Sequence, residues 1–238
     1  MKCAVDLHIH SALSPCSNKE MTPNNIVNMS LLKNLDIIAL TDHNTAANTI
    51  AVCKCAEGRK LLVVPGMEVE TSEEVHLICL FPDIQAALKI QEKVYASLPQ
   101  IDNREDIFGS QYIMDEEDKI TENLKRMLIT ATSLTIQDVF SLVTGVGGVV
   151  VPAHVDRSSY SIISNLGCIP EDLMINYVEI SKNCDARAFL KNKRHLGKYR
   201  LIKSSDAHSL GEILERESFL ELEELSVKCL LAKLKKPV

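Results

Sequence analysis

The feature that most constrains this chain is a repeated pattern in which short apolar segments finish on His, Asp or Glu and alternate with stretches of helical period. The first runs over residues 3–8 and ends in DLHIH, the second reads DIIALTDH, the third KLLVVPGMEVE and the fourth EVHLICLF. GGVVVPAH, YVEI and YRLIKSSDAH follow. Seven or so strands separated by helices specify a β/α architecture, in which strand ends far apart in sequence converge on one mouth. Thr22 with Pro23 behind it marks a helix start, and the spacing predicts helices to about residue 35, over 45–57, over 83–97, around residue 134 and over 223–235. The terminal helix carries Leu222, Leu225, Leu230, Leu231 and Leu234; it covers the barrel wall or mediates a homo-oligomer.

No repeat, low-complexity tract or linker divides the 238 residues, so one domain over 1–238 is expected. Residues 99–122 fit neither period and carry the acidic run Asp115 to Asp118, which reads as a surface insertion, with a lid over the site as the sharper alternative. The net charge of −6 argues against an extended nucleic-acid surface, and five Tyr with five Phe and no Trp are few for base stacking. The basic run at 191–195 reads as a solvated helix end. No membrane segment or secretory signal is recognisable, which points to the cytoplasm, and the eight cysteines sit in apolar segments as reduced residues. Cys53 and Cys55 lie two apart on a helix and face different ways, which is wrong for a shared metal.

Six of the seven histidines fall at or beside strand ends: His8, His10, His43, His76, His154 and His208, with His76 nearer a strand start. On a regular strand His8 and His10 share a face and can grip one ion. Asp6, on that same face, either orients a histidine or is a buried carboxylate bonded to backbone. Glu68, after Gly66 read as a turn residue, offers a carboxylate able to bridge two cations. Asp206 and His208 form a D-x-H pair, and His with carboxylate ligands suits Zn, Mn or Fe. Arg157 is placed to clamp a phosphate, or else to pair with Asp156 or another rim acid; Ser14, Ser17, Ser204 and Ser205 are secondary phosphate donors or plain turn residues.

In order, DLHIHS, LTDH, PAHVDR and SSDAH resemble the four motifs of the polymerase and histidinol phosphatase (PHP) family of metal-dependent hydrolases. The resemblance implies a distorted (β/α)7 barrel with two or three divalent metal ions at the strand C-termini. By that analogy His8, His10, Glu68 and Asp206 hold one ion, Glu68 bridges to a second held by His76 and His154, and His43 with His208 holds a third. Relatives often place a further His or Asp after the first motif; here SALSPCSNKEM offers Cys16 or Glu20 instead.

The implied activity is phosphoester hydrolysis of a small phosphorylated metabolite or nucleotide by a metal-bound hydroxide, most simply as a phosphatase. Asp206, Asp42, a histidine or water would supply the leaving group's proton, and the sequence does not choose among them. Two alternatives stand beside it: a nuclease or exonuclease acting on short nucleic acid, and a metal-binding regulatory module without catalysis.

Overall fold

The computed structural model describes residues 1–237. Its elements are, in order, β1 (Lys2–Ile9), α1 (Pro23–Leu32), β2 (Ile37–Leu40), α2 (Thr49–Ala56), β3 (Leu62–Glu70), β4 (His76–Leu80), α3 (Ile84–Ser97), α4 (Glu105–Phe108), β5 (Tyr112–Met114) and β6 (Ile120–Asn123). There follow α5 (Ile136–Gly145), β7 (Val149–Pro152), α6 (Ile162–Leu166), β8 (Tyr177–Ser181), α7 (Ala186–Asn192), β9 (Arg200–Ser204), β10 (Phe219–Glu221) and α8 (Val227–Lys235). Thr22 caps α1 with Pro23 at its first turn, and Asp83 caps α3, as their side-chain chemistry requires.

Seven strands make a distorted barrel in the order β1, β2, β3, β4, β7, β8, β9. One continuous sheet runs β10-β1-β2-β3-β4-β7, and β8 pairs with β9 in parallel. Two looser seams close the ring: Ile9 bridges Ala207 in parallel, and the Val155 amide donates to the Glu179 carbonyl at 2.9 Å. β4 alone in the ring is antiparallel to its neighbours β3 and β7. Its N-terminus therefore lies at the mouth where the other strands end, which is why His76, at a strand start, still reaches the site.

Cys3, Val5 and Leu7 of β1 pack in one buried cluster with residues from all the other ring strands, whereas Ala4 and Ile9 pack outward against α1 and α2. The register with β2 shifts between Asp6 and Ile9, so the alternation breaks after Leu7 and both His8 and His10 turn toward the mouth. Asp6 is left behind on the other side. It accepts from the amides of Ser205 at 3.0 Å and Leu214 at 2.9 Å, so it is the buried, backbone-bonded carboxylate and not a histidine's partner.

The terminal helix begins at Val227 behind the Ser226 cap, later than expected, and Leu230, Leu231 and Leu234 join the barrel-interior cluster. Burial of each contributes about 1.5–3 kcal/mol; Leu222 joins the same cluster, and Leu225 is left exposed. Within the stretch expected to be an insertion the chain forms α4 and the hairpin β5–β6. Its acidic run is engaged at the start of α1, where Asp118 accepts from the Thr22 hydroxyl at 2.8 Å and the Asn24 amide at 2.9 Å. All eight cysteines are free, and among the described residues no helix is long and apolar enough to cross a membrane.

Gly66 lies inside β3 and not in a turn. A Cβ there would stand 2.9 Å from the Leu40 carbonyl oxygen and 3.2 Å from that of Cys79, on the strands either side. Gly66→Ala is expected to destabilise the protein by about 1–3 kcal/mol, read as a lower urea midpoint with an unchanged denaturant slope.

Candidate metal centre

The bulge in β1, the ends of β3, β7 and β9, the turn after β2 and the start of β4 bring together all eight residues expected to ligate metal. Three groups have ligand atoms mutually within 4.8 Å: His8, His10, Glu68 and Asp206; His43, Glu68 and His76; and His10, His43 and His208. His154 stands beside them, its Nε2 3.4 Å from Glu68.

Glu68 is the centre of the arrangement. It is 1% exposed, with Oε1 at 2.9 Å from His76, 3.3 Å from His8 and 3.4 Å from His154, and Oε2 at 3.0 Å from His43 and 3.5 Å from His10. None of these approaches has hydrogen-bond geometry, so both carboxylate oxygens are buried without a hydrogen-bond donor. Two further contacts are close, His8 Nε2 3.0 Å from His10 Nε2 and His10 Nε2 3.1 Å from Asp206 Oδ1, and a ring proton makes either a hydrogen bond in the metal-free site. Bonds of about 2.0–2.2 Å to a common ion put neighbouring ligand atoms roughly 3.0–3.5 Å apart. The donor set and its spacings fit divalent cations.

The tautomers support the same fit. His8 Nδ1 faces the Glu179 carboxylate at 3.0 Å and must donate to it, which leaves Nε2 turned to the cluster. Ser14 gives its hydroxyl proton to Asp42 at 2.7 Å, so at 2.9 Å it accepts from His10 Nδ1, again freeing Nε2. His208 Nδ1 donates to the Asp206 carbonyl at 2.9 Å. Backbone strain collects here as well: His154, Tyr160 and Asp206 have φ of 28°, 53° and 52°, in the left-handed region that side chains disfavour.

Charge follows geometry in the metal-free site. Burial opposes charge on His8, but Glu179, Asp206 and Glu68 outweigh it and raise its pKa well above the ordinary value. Burial likewise opposes the charged forms of His43 and His76, and Glu68 overcomes it in both, so both are raised, His43 strongly. For His10 burial wins, reinforced by His208 and His43, and its pKa falls well below the usual range. Glu68 and Asp206 are held well below the carboxylate range against their burial, Glu68 mainly by His76 and His8 and Asp206 mainly by His8 and His10.

The remaining candidates separate cleanly. Arg157 pairs with Asp206 through Nη1–Oδ2 at 2.6 Å on the rim, while Asp156 turns away to accept from Ser181. Asp42 is buried behind the pocket lining, and both its oxygens accept hydrogen bonds from Ser11 and Ser14. Of the four serines proposed as phosphate donors, Ser14, Ser17 and Ser205 are spent on Asp42, the His208 carbonyl and the His8 carbonyl. Burial pushes the Cys16 thiol up, but His208 and His43 outweigh it and lower it to about 6; Cys16 is not among the three ligand groups. Glu20 is exposed and held through its backbone to Asn18 and Asn25. The pocket, about 170 Å³, is lined by His43, Glu68, His76, His154, Arg157, Ser159, Tyr160, Asp206 and His208, so no residue of 99–122 forms a lid on it.

Two participants escaped the sequence reading. Glu179, buried in β8, orients His8 and also accepts from the His154 amide at 3.1 Å. A lone acid inside the apolar strand YVEI was the available signal. Tyr160 stacks on His76 with ring centroids 4.8 Å apart while remaining 47% exposed, forming the pocket's outer wall.

Glu179→Gln is expected to weaken metal binding about 10–100-fold, measured by competition with a chelating dye. The raised histidine values set a pH dependence for the metal-free protein. Their stabilisation is complete below the unfolded histidine value of about 6.5 and is lost as pH climbs through the folded values, leaving Glu68 a bare buried anion. The metal-free melting temperature should therefore fall as pH rises from about 6.5 toward 9, and added divalent metal should abolish the fall.

Known proteins repeat this arrangement of elements. The PHP domain model matches residues 6–161. An uncharacterized protein of Methanocaldococcus jannaschii is 27% identical over 171 residues, covering 72% of this chain, which spans only 17% of that protein. Among solved structures, the lesion-specific endonuclease Q of Pyrococcus furiosus superposes with a TM-score of 0.70 at 21% identity, over 99% of this chain and 56% of its own. A Bifidobacterium adolescentis protein described as a metal-dependent phosphoesterase gives 0.60 at 17% identity over 95% of both chains. An amidohydrolase of Chromobacterium violaceum with bound sulfate gives 0.61 at 19%, over 94% of this chain and 93% of its own. At these identities the structural matches establish the fold, and the domain match over well over half of the chain establishes the family: the chain belongs to the PHP domain family.

Proposed function

We propose that the protein hydrolyses a phosphoester of a small phosphorylated metabolite or nucleotide, with two or three Zn, Mn or Fe ions held by His8, His10, His43, Glu68, His76, His154, Asp206 and His208. The observation that carries this reading is the buried, unbonded Glu68 carboxylate ringed by imidazoles beneath a rim guanidinium. When bound, the ions supply Lewis-acid charge to phosphoryl oxygens and an activated water at neutral pH.

The protein's own groups supply the rest. Arg157, 41% exposed in its side chain, can release Asp206 to a metal and turn its fork of donors to the substrate phosphate. Asp206, ionised and the carboxylate nearest the rim, is then the candidate to accept a proton from the attacking water. Small-molecule pockets commonly run about 300–1,000 Å³, and at about 170 Å³ this one suits a phosphoryl group with the remainder of the substrate outside, against Tyr160 and Ser159. Such a cavity favours a terminal phosphate over a mid-chain diester. The eight free cysteines accord with a cytoplasmic setting.

A nuclease reading has one specific support, the likeness of nearly the whole chain to endonuclease Q, one structure of which holds duplex DNA with an abasic lesion at the active site. The chain spans just over half of that protein, and its net charge of −6 offers no general attraction for a phosphate backbone.

Metal-stripped protein reconstituted with Mn²⁺ or Zn²⁺ is to be assayed against sugar phosphates, nucleotides, histidinol phosphate and abasic-site duplex. Metal-dependent phosphate release is expected, and incision of the duplex without phosphate release would instead establish the nuclease. Glu68→Gln should lower turnover by at least about 100-fold together with metal content. Arg157→Ala should raise KM about tenfold or more with a smaller change in kcat.

A further inference from the structure

At about 170 Å³ the pocket has room for a phosphoryl group and little else, so the rim decides what the remainder of the substrate can be. Of the side chains that line it, six are the expected metal ligands and Arg157 faces the phosphate, which leaves Ser159 and Tyr160. The remainder therefore meets one hydroxyl and one aromatic ring. A polyol would bring several hydroxyls to a rim with few partners for them, and each polar group stripped of water without a partner weakens binding. A flat ring makes no such demand.

Tyr160 is placed for that contact. In a chain with five Tyr, five Phe and no Trp, it is the most exposed aromatic side chain among the described residues, at 47%. One face of its ring is stacked on His76, with centroids 4.8 Å apart and planes inclined by 26°, so the ring is braced from one side and its exposure falls on the other face and the edges. The backbone is fixed as well. A tyrosine keeps a φ of 53° only where its surroundings impose it, and here the Tyr160 carbonyl accepts from the His76 amide at 3.0 Å. The next residue, buried Ser161, accepts from the Ile163 amide at 3.3 Å at the start of α6. At the other end of the turn the Arg157 amide donates to the His154 carbonyl at 2.9 Å. One short turn thus presents a guanidinium and an open aromatic face at the same rim.

We propose that Tyr160 is the specificity-determining residue of the site, a stacking platform for the base of a nucleoside monophosphate whose phosphoryl group enters the pocket. The proposal rests on the phosphoesterase reading above and narrows its substrate from phosphorylated metabolites in general to nucleotides. The open face of Tyr160 is turned away from His76, so a base on it and a phosphoryl group in the pocket must be joined by a spacer, which a ribose provides and a simple aryl ester lacks. Every base has a π-face, so the platform selects a base against none and does not choose among bases. One ring holds one base. A strand would need a row of them, and among the described residues no second Tyr or Phe lines the pocket.

The test compares two substrates that share a ribose phosphate and differ in the base. Metal-reconstituted full-length protein is assayed for phosphate release from adenosine 5′-monophosphate and from ribose 5-phosphate, with histidinol phosphate beside them. The wild type is expected to show a kcat/KM at least about tenfold higher for the nucleotide than for ribose 5-phosphate, carried mainly by KM. Tyr160→Ala should bring that ratio close to one, and Tyr160→Phe, which keeps the ring, should preserve it. The ratio is the readout because a disturbed His76 or a loss of metal lowers both substrates alike and leaves it intact. A wild type that treats the two alike, a ratio that survives in Tyr160→Ala, or a ratio lost in Tyr160→Phe overturns this proposal and leaves the phosphoesterase reading standing. Release from histidinol phosphate but from neither ribose compound does the same. Silence with all three esters overturns both.

Discussion

A single buried carboxylate governs the structure around it. Glu68 has almost no contact with water and no hydrogen-bond donor of its own, and an uncompensated carboxylate in such a place costs several kcal/mol. Compensation must therefore come from positive charge, either protons on the encircling imidazoles or divalent cations between them. That requirement explains why five histidines from β1, β4 and the turns after β2 and β7 point at one side chain. It also explains why a further ring of serines and Glu179 is spent on holding those histidines in place. Strained backbone at His154 and Asp206 is tolerated because the mouth gains a stable charge balance once the ligands are gathered.

The barrel supplies this gathering by delivering strand ends to one side, and two irregularities make it work. A regular β1 that buries Cys3, Val5 and Leu7 in the barrel would turn His8 outward; the shift between Asp6 and Ile9 turns it in. A uniformly parallel ring would send the start of β4 to the far end; its reversal brings His76 to the mouth by way of a short loop from Glu70. Both departures from regularity are located at metal-facing residues. The opposite end is closed by α8, whose leucines complete the interior cluster, so polar chemistry and apolar sealing are divided between the two ends of one barrel.

Much of this was legible in the sequence because it is local. Apolar runs ending in His, Asp or Glu are visible within eight or ten residues, and so are the caps at Thr22 and Asp83. What stayed hidden depends on partners remote in the chain. Glu179 means little until His8, 171 residues away, is seen beside it. Asp6 and His8 look alike in register until the pairing with β2 exposes the shift. The direction of β4 is not encoded in its hydrophobic period, and the three-residue strands β5 and β10 are too short for period to speak. Gly66 looked like a turn because glycine is ambiguous from sequence, whereas its place is set by the backbones of β2 and β4 crowding it on both sides.

The reversal of β4 also sets an order of events as the chain folds. Glu68 and His76 sit on adjacent antiparallel strands joined by a short connection, so their pairing closes a small loop at little entropic cost. His10 and Asp206 meet only when a loop of 196 residues has closed, and that seam is the weaker one. Half of the cluster thus forms with a local hairpin, and the other half forms only when the two ends of the barrel sequence come together. A cation that needs both halves binds the completed ring far better than any partly folded state, and its binding energy is applied at the seam that is hardest to close.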